Sequence, residues 1–548
     1  MKLPGKKFWM WAAGIALLAA PAAQMPAVAQ TIKPVVVVSV ASIEETLNDI
    51  GYITTAAGAE DAGKTARFFG NAFTNGLDKT KPMGLYVVPQ AGDFHGVAFI
   101  PVKDLKLVLG TFKEQLGEPR DSGDGILEVG TGQTVFIKEQ NGWAFVAQSK
   151  DHLTNLPADP LALLGNLPKE YNVAAKVLMR NIPQELRQLA VDEIKVGMKR
   201  ALETQNNGVD ADTAAQLNAT VTQAITQIFE EVEEIAVGYA IDAAGKKTYL
   251  DVNQLAVAGS PLAKRMELLS DSKTNFAGFL LPDAAATMNI SSRYTKEDIA
   301  QAVAGLDSFR KQAMKQIDND PNLTDDKKAP AKEVVGIVFD VLKKSVESGK
   351  ADVGAVLMLE PKSISFAAGG YLADGKALEG AVKRIVDLAK DEPDFPTVKL
   401  NSGSHAGITF HQITAPIPED ESEAKELLGD KLEITLGTGQ QAAYISFGKN
   451  SEALLKRVID QSAADAQKAV PPGQFNIALL PILKFAASVD DNPIVPALVS
   501  TLENAGNDKI TIVAQGVPRG QNVRIQVEEG VLKVIGEAVK RFGADRGL

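Results

Sequence analysis

The sequence predicts an α+β fold: two tandem related domains, each a mainly antiparallel sheet with helices packed on one face. Three observations carry this. Short β-branched runs come in pairs joined by tight turns, the grammar of antiparallel sheet. Between them stand runs with apolar residues at i, i+3, i+4 and i+7, the stripe of a helix that buries one side. The order of these blocks then recurs roughly 270–300 positions later along the 548-residue chain. Strands apolar on both sides, as a doubly wound parallel sheet needs, are few.

The elements of the first half follow in order. Val35–Val40 is brief and β-branched, a buried strand. Ile43–Ile50 and Thr65–Leu77 suggest helices, and Met83–Pro89 and Phe94–Val102 form a strand pair about the turn Gln90-Ala91-Gly92-Asp93. Leu105, Val108, Leu109, Phe112 and Leu116 share one helical face. Strands follow at Ile126–Val129, Thr134–Glu139 and Trp143–Gln148. Asn141-Gly142 joins the last two, because both residues tolerate positive φ. Glu234–Asp242, Lys247–Gln254 and the helix Leu262–Leu269 close the half.

The second half repeats the pattern. Val353–Leu359 and Ile364–Leu372 pair about Glu360-Pro361-Lys362, and Leu378, Ala381, Val382, Ile385, Val386 and Ala389 mark a helix. Strands at Gly407–Ile413, Lys431–Leu436 and Ala442–Phe447 precede a helix at Ser451–Ile459, and Lys509–Gly516, Asn522–Glu528 and Val531–Phe542 end the chain as strand, strand and helix. The expected domains are 30–270 and 275–548, with the polar stretch Ser270–Thr274 as linker and the acidic insertion Pro418–Glu426 as a solvated loop. Gln205–Thr213 and Asp318–Lys328 divide long helices. The identical quartets Gly130–Gln133 and Gly437–Gln440 precede different numbers of strands, so they are read as coincidence.

The first 29 residues read as a signal peptide. Lys2, Lys6 and Lys7 precede the apolar run Phe8–Ala20, Pro21 breaks it, and Ala27-Val28-Ala29 offers small residues for cleavage. The run is too short to span a bilayer, which needs ~20 residues. Cleavage after Ala29 takes the net charge from −11 to −14, which disfavours a nucleic-acid partner. With no Cys in the chain, thiol catalysis, Cys-ligated metal and a lipidated anchor are excluded. A length of 548 residues stabilises itself through core burial without disulfides.

Several motifs invite chemistry and are outweighed. Gly58-Ala59-Glu60-Asp61-Ala62-Gly63-Lys64-Thr65 fits the phosphate-cradling pattern G-x-x-x-x-G-K-[ST]. Glu60 and Asp61 would repel the polyanion, and Gly51–Ala57 is a poor strand to hang the loop from. Val334–Asp340 fits a helix better than a metal-binding strand. Asp318–Asp326 spaces oxygens as in a calcium loop, yet Leu323 stands where Gly is needed and Ala329 where the bidentate Glu belongs. Of His95, His152, His405 and His411, only the last two are close, and their even spacing places both on one face of a strand without a third ligand. Ser270-Asp271-Ser272-Lys273 has S-x-x-K lettering without companion motifs. Trp143, the one Trp outside the leader, reads as core, and sparse aromatics give a lectin no support.

No catalytic, cofactor-binding or metal residue is assigned. The expected role is a non-enzymatic, exported envelope interaction or scaffold protein, periplasmic or secreted, its partner an unknown envelope protein or ligand, with no membrane anchor after cleavage. The rivals are a hydrolase built from scattered acids and His, marked by a cleft with convergent polar groups, and a small-molecule or lipid carrier, marked by a deep apolar cavity.

Overall fold

The computed structural model describes residues 32–90, 93–205, 222–223, 225–321, 323–389 and 395–544. The expected leader Met1–Ala29, the expected turn residues Ala91-Gly92 and the polar stretch 206–213 lie outside the described residues. The chain divides into two compact units, the first ending at Ser260 and the second beginning at Pro261, with Ala56–Gly58 grouped in the second.

The first unit contains strands β1 (Val36–Val40), β2 (Met83–Gln90), β3 (Asp93–Pro101), β4 (Arg120–Asp121), β5 (Ile126–Val129), β6 (Val135–Gln140), β7 (Trp143–Ala147), β8 (Val173–Leu178), β9 (Val232–Asp242) and β10 (Lys247–Ala256). They stand side by side as 4-5-6-7-3-2-1-8-9-10, every neighbouring pair antiparallel. Its helices are α1 (Ile43–Ala56), α2 (Glu60–Phe73), α3 (Leu105–Thr111), α4 (Lys113–Leu116), α5 (Leu161–Leu164), α6 (Leu167–Glu170) and α7 (Gln184–Gln205). The turn Asn141-Gly142 has φ of 54° and 77°, the doubly positive pair that matches strand twist.

The expectation of helices on one face needs correction. Along β7, Trp143 and Phe145 join a core with Val37, Tyr86, Phe99, Leu164 and Leu167, so α5 and α6 cover that side. The alternate residue Ala144 packs with Leu105 and Leu109 of α3, on the opposite side. Both faces are buried there, which is why Trp143-Ala144-Phe145 reads as an unbroken apolar run rather than an alternation.

The second unit opens with α8 (Pro261–Glu267) and β11 (Lys273–Thr274). β12 (Ala286–Arg293), α9 (Lys296–Asn319), α10 (Asp325–Glu347), β13 (Lys350–Glu360), β14 (Ser363–Tyr371) and α11 (Gly375–Ala389) follow. Next come β15 (Thr397–His405), β16 (Ile408–Pro416), α12 (Ser422–Leu428), β17 (Lys431–Thr438), β18 (Ala442–Gly448), α13 (Ser451–Ala464) and β19 (Lys468–Ala469). The chain ends with β20 (Gly473–Ala478), α14 (Leu479–Val489), α15 (Ile494–Ala505), β21 (Lys509–Val517), β22 (Gly520–Glu528) and α16 (Glu529–Ala544). Its main sheet runs 15-16-17-18-14-13-12-20-21-22, again antiparallel throughout.

Here too both faces are covered. Phe410 packs with Leu454, Leu455 and Val458 of α13, while its neighbour His411 faces Glu379 of α11. The stretch Ser270–Thr274, expected as linker, is built into this unit: β11 pairs with β19 and Thr274 is fully buried. The acidic insertion holds a helix, α12, not only a loop. Among the described residues no helix is long and apolar enough to cross a membrane.

Candidate functional site

The sequence motifs are dispersed, and each has a local use. Gly58–Thr65 lies between two helices, α1 and α2, where a phosphate loop would follow a strand. Lys64 is spent on Asp61, Nζ to Oδ1 3.0 Å, inside the same turn. In Asp318–Asp326, which joins α9 to α10, Asp318 pairs with Lys332 and Asp325 with Lys328, and Asn322 lies outside the described residues. The Thr324 hydroxyl holds the Asp326 carboxyl below its ordinary range. Ser270 donates to the carbonyl of Glu267, ending α8, and makes no approach to Lys273. Among the described residues no three His, Asp or Glu side chains converge on a metal-sized point.

The histidines divide differently from expectation. His405 and His411 do not share a strand: the hairpin turn Ala406-Gly407, with φ of 47° and 81°, separates β15 from β16. His405 Nε2 sits 2.6 Å from Asp460 Oδ1 at the surface. His95 and His152, far apart in sequence, stack with ring centroids 4.0 Å apart.

His411 anchors the most site-like constellation. The backbone N–H of Asn401 donates to His411 Nδ1 at 3.2 Å, and Nε2 lies 3.3 Å from Thr438 Oγ1. Burial pushes the imidazole below its ordinary pKa against the pull of Glu379, and Lys383 adds to the lowering. A neutral ring that accepts at Nδ1 carries its proton on Nε2, so it donates to the threonine hydroxyl. Thr438 in turn hydrogen-bonds Glu379, whose carboxyl Lys383, 2.5 Å away, holds below its usual range. Activating a nucleophile requires the ring to accept from the hydroxyl. This polarity is reversed, so the cluster orients α11 on the sheet and does not activate Thr438.

Two further buried carboxylates are structural for the same reason. Asp352 accepts from Thr274 Oγ1 at 2.5 Å and from the Asn275 N–H at 2.8 Å, and burial raises its pKa despite those bonds. Asp251 accepts from the Tyr171 hydroxyl at 3.0 Å, and that phenol, pushed up to about 12 chiefly by burial, also accepts from Asn253 at 3.1 Å. A cavity of about 200 Å³ borders Met358, Glu360 and Arg457, smaller than the ~300–1,000 Å³ of ordinary ligand pockets. Its cation is committed, since Arg457 makes a bidentate pair with Asp283 at 2.9 Å.

Large apolar side chains stay exposed on helices of both units. Phe68 on α2 is 71% exposed, Phe309 on α9 64% and Val539 on α16 65%. On α2 the rings form a ridge: Phe68 meets Phe69 edge-on at 5.5 Å, Phe69 stacks with Phe73 at 6.1 Å, and Phe73 with Phe112, between α3 and α4, at 6.2 Å. The helix can expose this face because it leans on α1 through glycines, Gly63 against Thr54 and Gly70 against Leu47. The sequence reading missed the ridge, although Phe68-Phe69 and Phe73 fall on adjoining helical positions. Comparison with protein-family models, with curated proteins and with solved structures finds no match.

Proposed function

We propose that the chain is an exported, non-enzymatic interaction or scaffold protein of the cell envelope, built from two related domains and released from a leader ending at Ala29. The observation that carries the reading is the exposure of large apolar side chains on helices of both units, Phe68, Phe309 and Val539 above all. Exposed apolar surface costs solubility and is retained where a partner covers it. The polar clusters supply the complementary support: the hydrogen bonds of Asp352, Thr438 and Arg457 run to neighbouring side chains and backbone, which disfavours a hydrolase. A hollow of about 460 Å³ along α7 is lined by Asp192, Glu193 and Arg200 beside Val196 and Gly197, a charged lining that gives a carrier of bulky apolar ligands little support.

Relatedness of the domains is supported by strand order. Renumbering each main sheet from its own first strand, with β11 and β19 set aside, gives 4-5-6-7-3-2-1-8-9-10 in both. Two sets of ten strands seldom agree in so irregular an order unless one arrangement was copied. Gly84, opposite Ser39, and Gly354, opposite Asn289, occupy the same ladder position, and each lies under a phenylalanine ring, Phe99 or Phe279.

A photo-crosslinking phenylalanine analogue placed at Phe309 in living cells tests the reading. A discrete adduct with an envelope protein is the expected result. No adduct there or at Val539, together with hydrolysis of a chromogenic ester, phosphoester or glycoside that Glu379→Gln abolishes, would install the hydrolase in its place.

A further inference from the structure

We propose that the stacked imidazoles of His95 and His152 form an acid-sensitive catch, which holds the helical turn Lys150–Leu153 on the sheet of the first unit and releases it as pH falls. Neither histidine belongs to the exposed apolar positions, so the catch stands apart from the interaction reading. Strand alternation puts Asp93 and His95 on the same side of β3 as Val97 and Phe99, which pack in one cluster with Phe145. The turn lies against β3, β6 and β7, and Leu153, fully buried, joins that cluster. Ser149 caps the turn, its Oγ accepting from the Asp151 N–H at 3.3 Å. His152 thereby lands on His95, with ring centroids 4.0 Å apart and planes 35° apart. Stacked rings aim their in-plane lone pairs side by side and not at one point, so a shared metal is not their use.

The stack is built for a neutral ring. His152 Nδ1 is buried and meets no hydrogen-bond partner among the described residues. A neutral imidazole can leave that nitrogen unprotonated, whereas an imidazolium carries an N–H on both, and a buried charged donor without an acceptor is the costlier state. Burial pushes His152 below its ordinary value and His95 adds to the lowering, against the pull of Asp151 and Asp93. Of the charges on β6, Lys138 stands opposite Phe145, on the side the turn covers, and Glu139 on the other. β7 has no ionisable side chain, and β2 has only Tyr86, a phenol pushed up to about 12 by burial and uncharged in acid. Lys150, on the turn itself, is exposed. The preference for the closed turn is therefore full above about pH 6.5 and is lost as pH falls from there through the lowered value. Opening hydrates Nδ1 and parts the rings, and it bares Leu153.

The test uses the chain from Gln30 onward, in which Trp143 is the sole tryptophan. Hydrogen exchange of peptides covering Ser149–Thr154, corrected for the pH dependence of the chemical step, is followed from pH 7.5 to 5.0. Acrylamide quenching of Trp143, a member of the Leu153 cluster, is read alongside. Protection is expected to fall on the order of tenfold and quenching to rise, with far-UV circular dichroism unchanged. Peptide resolution keeps His405 and His411, in the second unit, out of the signal. His95→Phe/His152→Phe keeps two rings and removes both titrations, and is expected to hold protection constant over the range. A wild type whose protection over 149–154 is indifferent to pH, or a phenylalanine pair that loses protection as the wild type does, overturns the proposal. Should that pair fail to fold, His95→Gln is expected to reduce the loss, and an undiminished loss overturns the proposal equally.

Discussion

His411 is buried and titratable, and the sign of its titration is measurable. Burial, helped by Lys383, lowers its folded pKa beneath the ordinary histidine value of about 6.5. As pH falls through about 6.5 the unfolded chain takes the proton first, so stability is full above that point and is lost between it and the lowered folded value. Glu379, depressed mainly by its hydrogen bond to Lys383, acts in a lower window, losing its contribution as pH falls from 4.5 through its folded value. Urea melts between pH 7.5 and 5.5 leave Glu379 out, and because burial lowers His152 as well, the comparison with His411→Gln is what isolates His411. The wild type is expected to lose stability more steeply than His411→Gln over that range; equal slopes would refute a neutral buried ring. The sequence could not reveal this arrangement, because the turn separating the two histidines is Ala406-Gly407. An alanine at φ 47° carries none of the Asn or Asp signal by which such turns are read.

Elements were legible where apolar side chains followed burial and illegible where polar groups were the ones buried. β1, Val-Val-Val-Ser-Val, is plain in the letters; β12 buries Thr287, Asn289 and Ser291 and has no apolar alternation to read. β8 and β20 were missed as well, each a short run between turn-rich flanks. β11 was misread as linker for the same reason as β12. Thr274 is polar yet buried, donating to Asp352 Oδ1 while accepting from the Phe276 N–H at 2.9 Å and from Asn289 Nδ2 at 3.1 Å. One hydroxyl thereby ties β11 to β12 and β13. Thr274→Val keeps the shape and removes all three bonds, leaving buried groups unpaired at a cost of about 1–3 kcal/mol. Chemical denaturation reads that loss as a lower midpoint at unchanged slope; a midpoint within error of wild type would mean that β11 contributes nothing to the sheet.

At the scale of the molecule, the apolar clusters respect the division of the chain. The two built on Phe99 and on Leu105 draw all their members from the first unit, those built on Phe410 and on Leu502 from the second. Units with separate cores melt separately, so calorimetry of the chain from Gln30 onward is expected to resolve two transitions. Each can be moved alone. A methyl added at Gly84 would lie 2.6 Å from the Phe99 ring and 2.7 Å from the Val38 carbonyl oxygen, neither able to yield cheaply in a paired strand. Overpacking of this kind costs about 1–3 kcal/mol, or roughly 2–4 °C per kcal/mol in units of this size. Gly84→Ala should lower one transition and Thr274→Val the other, the double variant showing both shifts undiminished because distant, unshared sites add. A single transition displaced by either substitution would mean that the chain unfolds as one cooperative body, and the proposal of two self-sufficient domains would have to be withdrawn.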